Sequence, residues 1–226
     1  MDLFFIFFIF LYTDALTAQF KDLPNQPREA YIHMPGLNVD YKLLMPCHIA
    51  YDVFDRLEKE VIYLKDQKVR IFGAYYEIPR KHAAYGDNGV QYTFSGLTVN
   101  AKPWTALLEK IRDMVSAETG HKYNFVLVNR YANGSDSIGF HSDDEREIDP
   151  LVPIACVSFG SQRRFVLKSK KVIQPRCFTK MLESGSLLLM HAPTNSRYLH
   201  SIPRCASFVG PRVSLTFRNI IPAHAR

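Results

Sequence analysis

The stretch Arg212-Val213-Ser214-Leu215-Thr216-Phe217-Arg218 alternates strictly between polar and apolar residues. Side chains of a strand point alternately to its two faces, so Val213, Leu215 and Phe217 share one face and Arg212, Ser214, Thr216 and Arg218 the other. On a surface strand the polar set would simply meet water, the ordinary explanation of such a pattern. Inside a barrel, two guanidinium groups and two hydroxyls would instead make a pocket for a dianion, because guanidinium binds carboxylate through paired hydrogen bonds. The strand alone leaves both readings open.

Working outward, Phe125-Val126-Leu127-Val128-Asn129-Arg130-Tyr131 places Asn129 and Tyr131 on the same face as Phe125 and Leu127. An amide and a phenol thus interrupt an apolar side, and a buried amide is costly unless a ligand or network satisfies it. In the extended segment Ile138-Gly139-Phe140-His141-Ser142-Asp143-Asp144-Glu145, His141 and Asp143 project to one side and Ser142 to the other. Imidazole and carboxylate at that spacing can hold two adjacent positions on a metal. A second histidine would complete the two-His, one-carboxylate face that leaves positions open on ferrous iron. His200 is the best placed of the eight histidines, with His191 as its rival. Asp144, Glu145 and Glu147 could equally be a solvated acidic turn.

These strands lie in the second half of the chain. Segments 124–131, 153–159, 164–168, 186–190 and 211–220 are strand-like and separated by Gly, Pro, Asn and Asp. Before them come two helical patterns. One runs from His48 to Leu64 with Tyr51, Phe54, Leu57, Val61 and Leu64 in register; the other starts at Pro103 and carries Trp104, Leu107, Leu108, Ile111, Met114 and Val115 until Gly120 ends it. Helices followed by many strands predict an α+β domain whose second half is a β-sandwich or jelly roll. Residues 21–46, with Pro24, Pro27, Pro35 and Pro46, read as an extended entry segment.

With 226 residues, 47% hydrophobic and 13% aromatic, the chain can bury one full core, which excludes a disordered protein. A net charge of +6 suits a polyanionic partner without requiring one. Cys47, Cys156, Cys177 and Cys205 lack CxxC spacing and read neither as a zinc site nor as a disulfide framework. Residues 1–20 form a leader in which Leu3 to Tyr12 is apolar, too short for a membrane-spanning helix. It resembles the core of a signal peptide, with Thr13-Asp14-Ala15 as a passable cleavage site, but the only charge before it is Asp2 rather than a basic residue. A β-prone leader packed on the domain, or a start that is not the biological one, is preferred to a signal peptide, and no stable membrane partner is expected.

The ordered set Asn129-Arg130-Tyr131, the 138–145 segment, Pro153 to Gly160, Gly185 to Met190, Pro193-Thr194-Asn195, His200-Ser201 and Pro211 to Arg218 resembles the AlkB dealkylating dioxygenases. The likeness is closest to the animal and plant branch that repairs duplex DNA. With Pro79-Arg80-Lys81 and Tyr92 to Leu97 the match runs from about residue 69 to 220. It implies a double-stranded β-helix (jelly-roll) core over about 121–220, helices packed outside, and a nucleotide-recognition lid over about 69–100, all in one domain from 21 to 226. It implies Fe(2+) held by His141, Asp143 and His200, with 2-oxoglutarate and O2 as cosubstrates. Arg212 would pair with the distal carboxylate of 2-oxoglutarate, and Asn129, Tyr131, Thr216 and Arg218 would line the rest of its pocket. Ser214 stands where the family often has asparagine, which shortens that contact.

The resemblance further implies that the partner is alkylated DNA, single- or double-stranded, with RNA as the alternative. A base must leave the stack to reach buried iron. Phe94 and His141 would sandwich the flipped base, with Tyr92, Ser95, Asp144 and Glu145 at its edge or backbone, and Phe72 would wedge into the vacated gap. Phe72 alone could as well be a core phenylalanine. Arg80, Lys81, Lys168, Lys170 and Lys171 are candidate phosphate contacts, each weighed against an ordinary solvated charge. Repair of N1-methyladenine, N3-methylcytosine and etheno adducts, a nuclear or else cytoplasmic location and a monomeric state are the expectations. A non-enzymatic nucleic-acid binder, and a dioxygenase of proteins or small molecules, are the competing readings.

Overall fold

The computed structural model describes residues 29–64, 68–71, 74–94, 97–171, 177–206 and 209–221. The described strands are β1 (Ala30–Met34), β2 (Leu37–Leu43), β3 (Lys68–Ile71), β4 (Ala74–Glu77), β5 (Lys81–Gly86), β6 (Gln91–Phe94), β7 (Leu97–Asn100) and β8 (Lys102–Pro103), followed by β9 (Phe125–Tyr131), β10 (Ile138–His141), β11 (Ile154–Gly160), β12 (Arg163–Ser169), β13 (Cys177–Leu182), β14 (Ser186–Met190), β15 (Tyr198–Ile202) and β16 (Arg212–Arg218). The helices are α1 (Cys47–Glu60), α2 (Ala106–Thr119) and the four-residue α3 (Thr194–Arg197).

Eight strands form one sheet in the order β1-β2-β14-β11-β16-β9-β5-β8, and β10-β15-β12-β13 form a second. Strand β16 runs antiparallel between β11 and β9 in the large sheet. Its apolar face (Val213, Leu215, Phe217) packs with Val126, Val128, Val157 and Phe159 of the neighbouring strands and with Val53 and Leu57 of α1 and Leu108 and Ile111 of α2. The helices therefore cover the outer side of this sheet. Its other side meets the second sheet through Leu37, Val39, Ile154, Phe165, Leu167, Leu188 and Ile202. Arg212, Ser214, Thr216 and Arg218 face that interior. This is a two-sheet α+β jelly roll, as two helices followed by many strands predict.

Three local details depart from the sequence reading. Helix α1 stops at Glu60, and Val61 is already extended (ψ 122°) although it is still buried. The 48–64 periodicity continues past the helix because Val61 and Leu64 still pack on the core from a non-helical segment. Pro103 is not the first residue of α2 but belongs to β8. The cap is Thr105, whose hydroxyl accepts from the Leu108 amide at 3.2 Å, and Gly120 (φ 71°) closes the helix as expected. Finally, the described part of the 21–46 segment is a hairpin, β1–β2, whose second strand adds to β14. Leu37, Val39 and Tyr41 alternate inward there, a period-2 signal that the proline content obscured.

Between residues 69 and 100, two hairpins (β3–β4 and β6–β7) stand outside both main sheets. Strand β5 between them runs in the large sheet beside β9. Residues 1–28, which hold the apolar leader, and Phe72 and Ser95 lie outside the described residues.

Candidate active site

Strands β9, β16, β11, β10 and β15 surround a cavity of about 420 Å³. At one end His141 leaves β10 and His200 sits on β15, paired in register across the two strands. Asp143 follows β10 by two residues. The Nε2 atoms of His141 and His200 lie 3.5 and 3.8 Å from Asp143 Oδ1, and one ligand atom from each residue falls within 4.8 Å of the others. Among the described residues these three form the single such cluster. His191, the rival candidate, is elsewhere: its Nε2 bonds Asp40 Oδ2 at 2.8 Å.

Neighbours fix the ligand atoms. His141 Nδ1 donates to the Gly139 carbonyl at 2.9 Å, so its Nε2 lone pair points to the centre. Asn195 in α3 clamps Asp143 from both sides of the backbone: its Oδ1 accepts from the Asp143 amide at 3.0 Å and its Nδ2 donates to the Asp143 carbonyl. Arg218 Nη2 donates to Asp143 Oδ2 at 2.5 Å, leaving Oδ1 for the centre. Burial by itself would raise the Asp143 pKa, but Arg218 and the two imidazoles hold it well below the usual carboxylate range. Burial pushes His200 down to about 4, against the opposing pull of Asp143, so at neutral pH it is a neutral nitrogen ligand. Two imidazole nitrogens and one ionised carboxylate on a single face suit a divalent first-row metal such as ferrous iron.

The other end of the cavity is cationic. Arg212 is 1% exposed; its Nη2 donates to Ser158 Oγ at 2.9 Å, while Nε and Nη1 have no partner among the described residues. Two buried guanidinium donors left open toward a cavity are expensive unless an anion completes them. Tyr131 lies under Arg212, with the guanidinium 5.2 Å from its ring, and Arg163 sits over the same ring at 5.5 Å. Arg163 itself donates to the backbone carbonyls of Asn133, Asp136 and Pro203. The open donors of Arg212 and the His-Asp-His cluster line one cavity, a donor set whose chemistry suits a dianion such as a keto-diacid.

Most other predicted residues converge on the same cavity. Asn129 lines it and accepts Arg80 Nε at 2.9 Å, which puts Arg80 at the cavity wall. Thr216 lines it too, as does Tyr92, which is 1% exposed under the Arg218 guanidinium. Glu145 is not a solvated acid: burial, then the charge of Asp143, raises its pKa beside Tyr92. Glu147 likewise turns inward and accepts the Thr93 amide at 2.8 Å, tying β6 to the core. Asp144 is exposed, 4.0 Å from Lys170. The backbone of Phe94 closes β6. Sequence reasoning assigned nothing to Asn195, Ser158 or Arg163. Asn195 stood in the matched Pro193-Thr194-Asn195 piece, whereas the Arg163-Arg164 pair gave no sign that only its first member is buried.

A jelly roll with this three-ligand face and a buried arginine opposite defines an iron- and 2-oxoacid-dependent oxygenase. Residues 59–218 match the model of the 2OG-Fe(II) oxygenase superfamily, and the chain belongs to that family. Within it, the chain is 46% identical to "DNA oxidative demethylase ALKBH2" of Homo sapiens, over 86% of this chain and 78% of that protein, and equally to the Bos taurus protein of that name over 86% and 73%. The Arabidopsis thaliana protein of the same name is 30% identical over 92% of this chain and 75% of its own length. These matches place the chain in the AlkB branch. A solved structure titled "The structure of OsALKBH1" superposes with a TM-score of 0.59 at 18% identity, covering 84% of this chain and 99% of that one, which supports the fold. The cofactors follow from the family: Fe(2+), 2-oxoglutarate and O2.

Proposed function

We propose that this protein is a DNA oxidative demethylase, removing alkyl groups from the ring nitrogens of damaged bases, N1-methyladenine and N3-methylcytosine first among them. The convergence of His141, Asp143 and His200 at one end of a cavity closed at the other by Arg212 is the observation that carries the reading. The 46% identity to DNA oxidative demethylases over most of the chain supports DNA as the substrate.

Iron and 2-oxoglutarate, when bound, supply the oxidation: O2 is consumed, 2-oxoglutarate loses CO2 to become succinate, and the alkyl carbon is hydroxylated. In the hydroxylated base the C–N bond then breaks, the hydroxyl proton passes to solvent, the ring nitrogen keeps the electron pair, and a methyl group leaves as formaldehyde. The protein's share is placement. His141, Asp143 and His200 hold the metal, Asn195 and Arg218 fix the orientation of Asp143, and Arg212 with Asn129, Tyr131 and Thr216 receives 2-oxoglutarate. Tyr92, Glu145 and Arg80 line the space left for the flipped base, with Asp144 outside; the base contacts of Phe94 and Ser95 and the wedge role of Phe72 rest on the likeness to the family. The hairpins within 69–100 serve as the nucleotide-recognition lid of a single domain, and the site of action is the nucleus.

The direct test is formaldehyde release from an N3-methylcytosine oligonucleotide. Release that needs both Fe(2+) and 2-oxoglutarate, and that disappears in His141→Ala, is expected. Retention of turnover in that variant would sink the proposal.

A further inference from the structure

Phe140 is 47% exposed, an unusual state for a phenylalanine one residue from a buried catalytic centre. It belongs to β10 and contributes to the rim of the cavity, beside His141. Its ring is not bare: the Lys168 ammonium of β12 lies 5.7 Å from the ring centroid. Lys168 is itself exposed. Lys170, the residue that follows β12, donates to the Asn195 carbonyl at 3.2 Å and lies 4.0 Å from Asp144, which keeps a second cation beside the segment that carries Asp143. An exposed aromatic surface with ammonium groups beside it is matched by few partners. A nucleotide is one, since it presents a π-face and a phosphate a few ångströms apart.

We infer that Phe140 is the stacking platform for a nucleobase adjoining the flipped lesion, and that Lys168 holds the phosphate joining the two. The inference rests on the proposed DNA substrate and adds a specificity element to it. A flipped base leaves an unstacked face on the neighbour at each side of the gap; Phe72 serves one of them, and Phe140 covers the other at the cavity mouth. The strand is thereby held from outside while the lesion sits inside, and the contact is indifferent to sequence because every base has a π-face.

Binding is measured anaerobically, with Fe(2+) and 2-oxoglutarate present so that nothing turns over, on a fluorescent N3-methylcytosine oligonucleotide. Companion oligonucleotides carry an abasic site on the 5′ or the 3′ side of the lesion. Phe140→Ala is expected to raise Kd about tenfold on the intact strand and to have no effect on one of the two abasic strands. Phe140→Trp restores tight binding. Lys168→Gln is expected to lower the slope of log Kd against log salt by about one. An equal loss on all three strands would mean that the variant has only displaced His141, and no loss on any strand would mean that the ring touches nothing; either overturns the inference. If the wild-type protein releases formaldehyde and these variants bind as it does, this inference alone fails. If the wild type releases none from any methylated DNA, the substrate reading fails, and the platform with it.

Discussion

Arg218 and Asp143 are 3% and 6% exposed, and the guanidinium lies 2.5 Å from a carboxylate that also faces the metal position. A buried pair broken on one side leaves an uncompensated charge, at a cost of about 3–5 kcal/mol. A bound divalent cation compensates Asp143 independently. Arg218→Met is therefore expected to lower the melting temperature of the metal-free protein more than that of the Mn(2+)-loaded protein. Equal losses in both would show that Arg218 does not serve the carboxylate. His82 offers a second test at this scale. It is 2% exposed on β5, and burial, then the nearby charge of Arg80, holds its pKa at about 4. Unfolded, it titrates near 6.5. Its native form is thus the neutral one, and its contribution is fully present above pH 6.5 and drains away as pH falls toward 4. His82→Gln should shrink the stability difference between pH 7 and pH 4.5 by up to about 3 kcal/mol. An unchanged acid slope in urea titrations would show that some other group titrates there.

At the scale of elements, the short helix α3 and the segment after β10 are coupled by one side chain. Asn195 holds both the amide and the carbonyl of Asp143, so the ligand cannot drift without breaking two hydrogen bonds. Asn195→Ala is expected to weaken Mn(2+) binding about 10- to 100-fold, as loss of a ligand-orienting partner does; an unchanged titration would make the clamp merely structural. The start of α2 was misread from sequence because Pro103 satisfies the rule for a first helical residue, while the true cap two residues on is recognisable only by its bond to Leu108. Thr105→Ala should cost about 1 kcal/mol, and Pro103→Ala should leave the helix in place; the reverse order of effects would restore the sequence reading. Strand periodicity was the most legible signal: 186–190 and 212–218 coincide with β14 and β16, give or take a residue or so. Contacts between distant segments were not legible. Arg163 reads like Arg164 until β12 places it against carbonyls of residues 133, 136 and 203.

Across the molecule, the buried arginines among the described residues (Arg163, Arg212, Arg218) outnumber the buried acids (Asp143, Glu147). Arg212 and Arg218 enter the cavity from one strand, Arg163 stands behind Tyr131, and Asp143 is the acid that pairs directly with one of them. Glu145 adds little compensation, because burial favours its protonated form. A fold that desolvates guanidinium donors and leaves Nε and Nη1 of Arg212 open gives up stability that an anion can restore. In linkage terms, a ligand that binds only the native state at a hundred times its Kd stabilises by about 2.7 kcal/mol. For a domain of this size that amounts to roughly 5–10 °C in melting temperature. Added to the Mn(2+)-loaded protein without oxygen, 2-oxoglutarate should produce that rise, and a monocarboxylate 2-oxoacid a much smaller one, because it has nothing to offer Arg212. Arg212→Met should erase the difference between the two acids while keeping the part of the shift due to the metal. If the dicarboxylate retained its advantage in Arg212→Met, the open guanidinium would have another purpose, and the far end of the cavity would have to be sought around Arg80 and Asn129 instead.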